Sequence, residues 1–293
     1  MLEFKKIELS DLDLYKKFTA SNKEFSCENS FVNLLVWQCT YNNMMAICEG
    51  QVIIKSGNKD REVFKLPMGD NFEKGLELIY EYCSDKSPAF WAQEGERFSK
   101  FIESESQNYN LKESRDACDY IYLRENLAFL KGKKYHSKRN HINAFTKKHN
   151  WKYEKITAEN IEKVRECAAV WYAENIDRLD KYMLCEKNGI DIILNNFEAL
   201  EIKGGIILVN EKAVAFTLGS AINDEVFDIH IEKALKDFGE AYTVINNQFA
   251  LNELESYKYI NREDDLGLEG LRKAKLSYHP HILLKKYSCT PVK

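Results

Sequence analysis

The sequence is poor in the features that mark several large protein classes. No run approaches the ~18 consecutive apolar residues that a membrane-spanning helix needs. The opening Met1–Tyr15 lacks a basic start, an apolar run and a small-residue cleavage site, so a secretory leader is not expected. Four prolines among 293 residues, with 44% hydrophobic and 12% aromatic residues, argue against a disordered or linker-dominated chain. None of the eight cysteines forms a C-x-x-C pair, and most sit beside apolar neighbours. That pattern reads as buried reduced thiols rather than a disulfide framework or a zinc site, and the expected compartment is cytoplasmic. A Walker loop, a G-x-G-x-x-G turn and a Ser-His-Asp pattern are all missing.

What is present is size, and a repeat. At 293 residues the chain is too long for one ordinary core, so two units are expected. FKKI at Phe4–Ile7 and YEKI at Tyr153–Ile156 each precede an amphipathic run. Ser10 and Asp13 fit a capping box for the first run, and Ile161, Val164, Ala168, Trp171 and Tyr172 predict a helix over 159–174 in the second. Each half then offers two strand-like runs around a polar turn, at Glu49–Gly50 and at Asn210–Lys212. A third strand opens on EVF at Glu62–Phe64 and again at Glu225–Phe227. A glycine-bearing loop, a long amphipathic helix and a further strand follow each EVF. This order predicts a mixed α/β sheet, twice over: residues 1–123 as a first unit, 124–150 as a basic helical connector and 151–293 as a second unit.

Net charge is −4, but Arg124–Asn150 carries +7, leaving −11 elsewhere. Lysine and arginine interleaved with Tyr135 and Phe145 over 131–148 suit tRNA phosphates. The helical spacing of Tyr135, Ile142 and Phe145 suits instead a structural helix with one buried face and exposed lysines, and this second reading is the one expected here.

Two motifs carry candidate chemistry. Lys236–Ala241 (KDFGEA) lies between a strand and a helix, where free amides and the helix dipole suit a phosphate-bearing donor. Gly239 would allow close approach, Ala241 close packing, and Lys236 would add a charge beside Glu240. The first half has Gly69 and Gly75 in the comparable region without the motif, so its loop reads as degenerate. Glu263, Asp264 and Asp265, after the next strand, either bind a cationic acceptor and take its proton or cap a helix over 268–275. Glu232 and His230 are alternative bases, and Tyr278 or Tyr287 a proton donor to the leaving group. His279 and His281 alternate as if on a strand, but with no third ligand evident no metal is expected.

The stretches KKYHSKRNHINAF (133–145), DFGEAYTVINNQFA (237–250) and INREDDLGLEGLRKAKLSYHPH (260–281) resemble a bacterial family related to the C-terminal domain of phosphatidylglycerol lysyltransferase. The resemblance implies a tandem GNAT-like fold, related also to the Fem peptidyltransferases. It further implies an acyl- or aminoacyl-transferase that takes its group from aminoacyl-tRNA or acyl-CoA to an amine or hydroxyl acceptor, a small molecule or peptide. The membrane helices that accompany the lysyltransferase do not appear in this sequence, so a lipid acceptor is not expected. Lys236 stands where Arg or Gln is more usual in acyl-CoA loops, which leaves CoA open, and no bound cofactor is required. The alternative is a ligand-binding protein that keeps the scaffold without the chemistry.

Overall fold

The computed structural model describes residues 2–58, 61–84 and 86–292. The first half runs β1 (Lys5–Lys6), α1 (Leu12–Thr19), α2 (Phe31–Tyr41), β2 (Met44–Cys48), β3 (Gln51–Asn58), β4 (Arg61–Lys65), α3 (Phe72–Cys83), β5 (Ala89–Gln93), α4 (Glu96–Glu105), β6 (Tyr109–Glu113) and β7 (Asp119–Leu123). The connector forms α5 (Arg124–Phe129) and α6 (His136–Lys148). The second half follows as β8 (Trp151–Lys155), α7 (Ile161–Glu174), α8 (Lys181–Asn195), β9 (Lys203–Val209), β10 (Lys212–Ala221), β11 (Val226–Ala234), α9 (Ala241–Asn252), β12 (Tyr259–Asn261), α10 (Glu269–Leu276), β13 (Ile282–Leu284) and β14 (Lys286–Pro291).

The polar turns close hairpins because they supply two successive left-handed residues, Glu49 and Gly50 in one half and Asn210 and Glu211 in the other. Each EVF strand pairs parallel to the strand after the crossover helix, β4 with β5 and β11 with β12, Phe64 facing Phe90 and Phe227 facing Ile260. One sheet is ordered β1-β2-β3-β4-β5-β14-β6 and the other β8-β9-β10-β11-β12-β7-β13. The two orders match position for position, with one exchange. The sixth place of each sheet is taken by the last strand of the other half. Both insertions are antiparallel on both sides, β14 between β5 and β6, β7 between β12 and β13. With the chain divided at 1–123, 124–150 and 151–293, β7 thus sits in the second sheet and β14 in the first.

Helices from both halves share one core. Phe31, Leu34 and Leu35 of α2 belong to the same buried cluster as Ile190 and Ile193 of α8. A Cβ on Gly189 would come within 2.3 Å of Val36 Cγ1, so this helix pair packs as closely as it does only with glycine there. The same contact joins Cys39 and Cys185 in a disulfide, against the expectation of eight reduced thiols; the other six cysteines are free. Their sequence separation of 146 leaves no local signature, and only the packing of α2 on α8 brings them together.

Two local expectations also differ. The entry to α1 is fixed by the Glu8 N–H donating to Asp11 Oδ2 at 2.9 Å, rather than by Ser10 with Asp13. In the connector, Tyr135 and Phe145 are buried and Lys131, Lys133, Lys134, Lys147 and Lys148 are exposed, but Lys138 is buried. It lies seven residues before Phe145, two helical turns away on the same face.

Candidate functional site

A cavity of about 1190 Å³ lies between the two sheets and draws its walls from both halves, including Trp37 and Tyr41 of α2, Trp91 of β5 and Tyr182 of α8. That exceeds the ~300–1,000 Å³ usual for one small ligand, so two reactants fit side by side.

Strand β11 reads Phe-Asp-Ile-His-Ile-Glu from Phe227. A bulge at His230, with Ile229 paired to Gly219 and Ile231 to Leu218, interrupts the alternation, so Asp228 stands beside Ser220 on one face and Glu232 beside Thr217 on the other. Asp228 is fully buried, and neither of its oxygens accepts a hydrogen bond from a described residue. Burial, with the Glu263 carboxylate nearby, pushes its pKa well above the usual carboxylate range. His230 Nδ1 lies 3.3 Å from Glu263 Oε1 and 3.4 Å from Asp228 Oδ2, and Nε2 lies 2.8 Å from Ser220 Oγ. Asn33 Nδ2 donates to the same Glu263 oxygen at 2.9 Å. Ser220, His230 and Glu263 therefore do stand in line, a grouping with no sequence-adjacent signal, but Ser220 is buried against Ser30 and is not among the cavity-lining residues. Glu232 is held by Arg262 at 2.7 Å and by Asn246 Nδ2 at 3.3 Å.

The three acids after β12 part company. Glu263 adopts a left-handed φ of 55°, and both it and Asp264 line the cavity. Burial raises the Asp264 pKa to about 6. Asp265 is fully buried elsewhere: Tyr120 Oη donates to it at 2.6 Å, Arg272 Nε and the Gly267 N–H at 2.8 and 2.9 Å, and Arg115 lies 3.2 Å away. Against its burial, the hydrogen bonds from Arg272 and Tyr120 hold this carboxyl well below the usual range. Asp265 orders the turn into α10, and Glu263 and Asp264 are left to face a ligand.

On the donor side, Lys236–Phe238 form a 3-10 turn and Gly239 has an ordinary helical φ of −55°. A Cβ built on Gly239 meets nothing within 4 Å. Glu240, at the N-cap of α9, gives no side-chain cap, while Ala241 is fully buried beneath the turn. Gly239, Tyr242 and Thr243 border the cavity. Lys236 is exposed, and its backbone N–H donates to Glu174 Oε2 at 2.9 Å, so that amide already has an anion. Tyr278 Oη donates to Thr243 Oγ1 at 3.4 Å, and Lys138 Nζ lies 3.7 Å from the centre of the Tyr278 ring. Burial, then repulsion from Arg262, lowers the Lys138 pKa to about 8.

Sequence reasoning missed the buried ion network behind the cavity. Lys286, the first residue of β14, lies 2.8 Å from Asp119, the first residue of β7, and 3.3 Å from Glu28. The Cys27 N–H and Asn261 Nδ2 donate to Asp119 at 2.9 and 3.1 Å. The two exchanged strands are thus tied to each other by their opening side chains. Asp228 was also missed: F-D-I-H-I-E alternates in sequence, but the bulge at His230 that breaks this alternation is not legible there. His279 and His281 are not paired on a strand: His279 sits in a turn at φ 52°, His281 stacks on Tyr259, and β13 begins only at Ile282.

A doubled sheet with a parallel pair after each hairpin, both halves contributing walls to one cavity, defines a tandem GNAT-like protein. Residues 19–290 match the family model for the C-terminal part of phosphatidylglycerol lysyltransferase, and the chain belongs to that family. A conserved protein of unknown function from Bacteroides thetaiotaomicron is 36% identical over 100% of both chains, with a TM-score of 0.91. Two more distant structures share the fold. The C-terminal domain of a putative lysylphosphatidylglycerol synthetase from Agrobacterium fabrum is 12% identical over 96% of this chain and 91% of that one, with a TM-score of 0.68. L-PGS from Bacillus licheniformis is 13% identical over 98% and 93%, with a TM-score of 0.65. No curated protein matches the chain. Among the described residues, no helix is long and apolar enough to cross a membrane.

Proposed function

We propose that the chain is an acyl- or aminoacyl-transferase whose two substrates meet in the cavity between the sheets. The observation that carries this reading is that one cavity joins the uncapped start of α9, beside Gly239, to the carboxylates of Glu263 and Asp264. A donor phosphate suits the helix start, where amides and dipole point at an anion. Asp264, with a pKa of about 6, is ionised at neutral pH yet basic enough to take a proton from an acceptor amine or hydroxyl. In the reaction the acceptor nitrogen or oxygen bonds to the acyl carbonyl carbon as the ester C–O bond of aminoacyl-tRNA, or the thioester C–S bond of acyl-CoA, breaks. The acceptor proton passes to Asp264, and Tyr278 protonates the departing oxygen or sulfur. Glu232 holds Arg262 beside the Tyr278 ring, while Lys236 and Glu240 belong to the same turn as Gly239 without lining the cavity. Most of the rate enhancement rests on positioning two bound reactants.

The family name supports a lysyl or similar aminoacyl group as cargo, and the exposed lysines of α6 offer phosphate contacts for a tRNA donor. The test is a panel of CoA, acetyl-CoA, uncharged tRNA and aminoacyl-tRNAs, scored by melting temperature and then by transfer of a labelled acyl group to amine and hydroxyl acceptors. Binding of one charged donor, followed by labelled product, is expected. A protein that binds an acceptor-like amine but no member of the donor panel would instead be the non-catalytic scaffold.

A further inference from the structure

We propose that Asp228, His230 and Glu263 form a binding site for a divalent transition-metal ion, opening on the cavity between the sheets. The site lies in the same cavity as the transfer reaction, but it does not depend on that reaction taking place.

Three observations support it independently. The first is geometry. One ligand atom from each residue lies within 4.8 Å of the others, and His230 Nδ1 stands 3.3 and 3.4 Å from the two carboxylates. An ion about 2.0–2.2 Å from each ligand, in tetrahedral array, separates its ligand atoms by roughly 3.3–3.6 Å.

The second is an unmet need for positive charge. Asp228 is 0% exposed, and its oxygens accept no hydrogen bond from the described residues. A buried carboxylate must be paired, coordinated or protonated. The nearby buried ammonium, Lys286, is already engaged by Asp119 at 2.8 Å and Glu28 at 3.3 Å. Glu263 adds a second negative charge, so a divalent ion balances the pair.

The third is the outer layer. Ser220 Oγ holds His230 Nε2 at 2.8 Å, and Asn33 Nδ2 holds Glu263 at 2.9 Å. A partner on the far ring nitrogen and another on the carboxylate are what orient metal ligands. With Nε2–H donating to Ser220, the Nδ1 lone pair faces the two acids. Asp228 closes the inner side, and His230 and Glu263 line the cavity, so a further coordination position faces a substrate or water. Two carboxylates and one imidazole suit zinc, manganese, iron(II) or cobalt(II) rather than a thiolate-seeking ion.

The competing arrangement is the same three residues with no ion and a proton in its place, Asp228 being neutral, and the test separates the two. The full chain, stripped with a chelator and dialysed, is titrated with Co²⁺, followed by visible absorption, and with Zn²⁺ and Mn²⁺ by calorimetry. One ion per chain is expected. Asp228→Asn and His230→Gln should each weaken binding by about a hundredfold or more, since even loss of an outer-layer partner costs ~10–100-fold. His279→Ala with His281→Ala should leave it unchanged. His230→Gln serves if Asp228→Asn fails to fold. Absence of stoichiometric binding, or binding indifferent to His230→Gln, overturns the proposal in favour of the protonated, ion-free cluster. Because the readout is metal content and spectrum, a metal-free protein that still transfers would reject only this inference. A metal-loaded protein that transfers nothing would reject only the transferase reading.

Discussion

The two halves build the same turn at the same point of the repeat, and only the second leaves it open. Before α3, Asn71 Oδ1 accepts the Lys74 N–H at 2.9 Å and caps the helix. A Cβ on Gly75, in the first turn of α3 itself, would lie 2.4 Å from Pro67 Cβ, so this helix start packs against its own chain. Before α9 no side chain caps the helix, and a Cβ on Gly239 would stand in free space beside the cavity. A helix N-terminus capped by its own asparagine has little left for a ligand. At α9 the Tyr242 and Thr243 N–H groups turn back to the Gly239 and Glu240 carbonyls, and no side chain competes for the amides ahead of them. The repeat thus preserves a scaffold twice and an anion-receptive end once. The same divergence appears one strand away: after the matched Phe64 and Phe227, the first half carries Lys65, in contact with Glu28, and the second Asp228, whose oxygens accept no hydrogen bond from the described residues.

The strongest way to break this comparison is to break what joins the halves. Lys286→Met leaves Asp119 charged and buried at the crossing of the exchanged strands. It should cost about 3–5 kcal/mol in urea unfolding, with much of the loss recovered by adding Asp119→Leu. A loss below about 1 kcal/mol would mean that the exchange is held by the sheets alone. Next in size is a contrast of sign between the two turns. Gly75→Ala should destabilise by about 1–3 kcal/mol through overpacking on Pro67. Gly239→Ala, with its helical φ and empty surroundings, should stabilise by about 0.4–1 kcal/mol. Equal effects at the two glycines would erase the difference between the loops.

The pH dependence sharpens the acceptor side. Asp264 works as a base only when ionised, so transfer should fall as pH drops through about 6, and Asp264→Asn should lower the rate and remove that limb. The stability sign is opposite to that of a salt-bridged acid. A carboxyl whose folded pKa is raised from 3.8 binds more protons folded than unfolded, so its contribution declines as pH rises from about 4 to 6. Asp264→Asn should therefore raise the melting temperature at pH 7.5 relative to wild type more than it does at pH 4. The smallest effect on stability is expected at the exposed lysines. Reversing Lys133, Lys134, Lys147 and Lys148 should change it by about 0.5 kcal/mol or less at each site. If the donor is tRNA, the same change should flatten the salt dependence of its binding.

Much of the scaffold was legible because the signals are local. The hairpin turns carry left-handed residues, the helices carry 3.6-residue patterning, and EVF marks the parallel strand in each half. The strand exchange was not legible, since β7 and β14 look alike to either sheet, and only the crossing of Asp119 and Lys286 records which one each joins. The acidic run read as one cluster because sequence proximity hides direction. A left-handed φ at Glu263 and donors from four residues around Asp265 separate the cavity-facing acids from the structural one. Lys138 read as a surface charge because its neighbours in sequence are basic, although its neighbours along the helix face are Tyr135, Ile142 and Phe145. Asp228 escaped notice between two apolar residues, and the bulge at His230 that sets it on the opposite face from Glu232 leaves no sequence signal.

The central claim, that the open turn of the second half receives the donor, is tested most directly at Gly239. Since its φ is ordinary and its Cβ direction free, Gly239→Asp should fold with a cooperative melt near that of wild type. The added carboxylate would stand where a donor phosphate belongs, occupy the positive end of the helix dipole itself and repel the phosphate. Calorimetric titration with the donor identified by the panel should then show binding weakened by at least about tenfold, or roughly 1.4 kcal/mol. A well-folded Gly239→Asp protein that binds the same donor with unchanged affinity would contradict the account, leaving the turn as architecture in both halves.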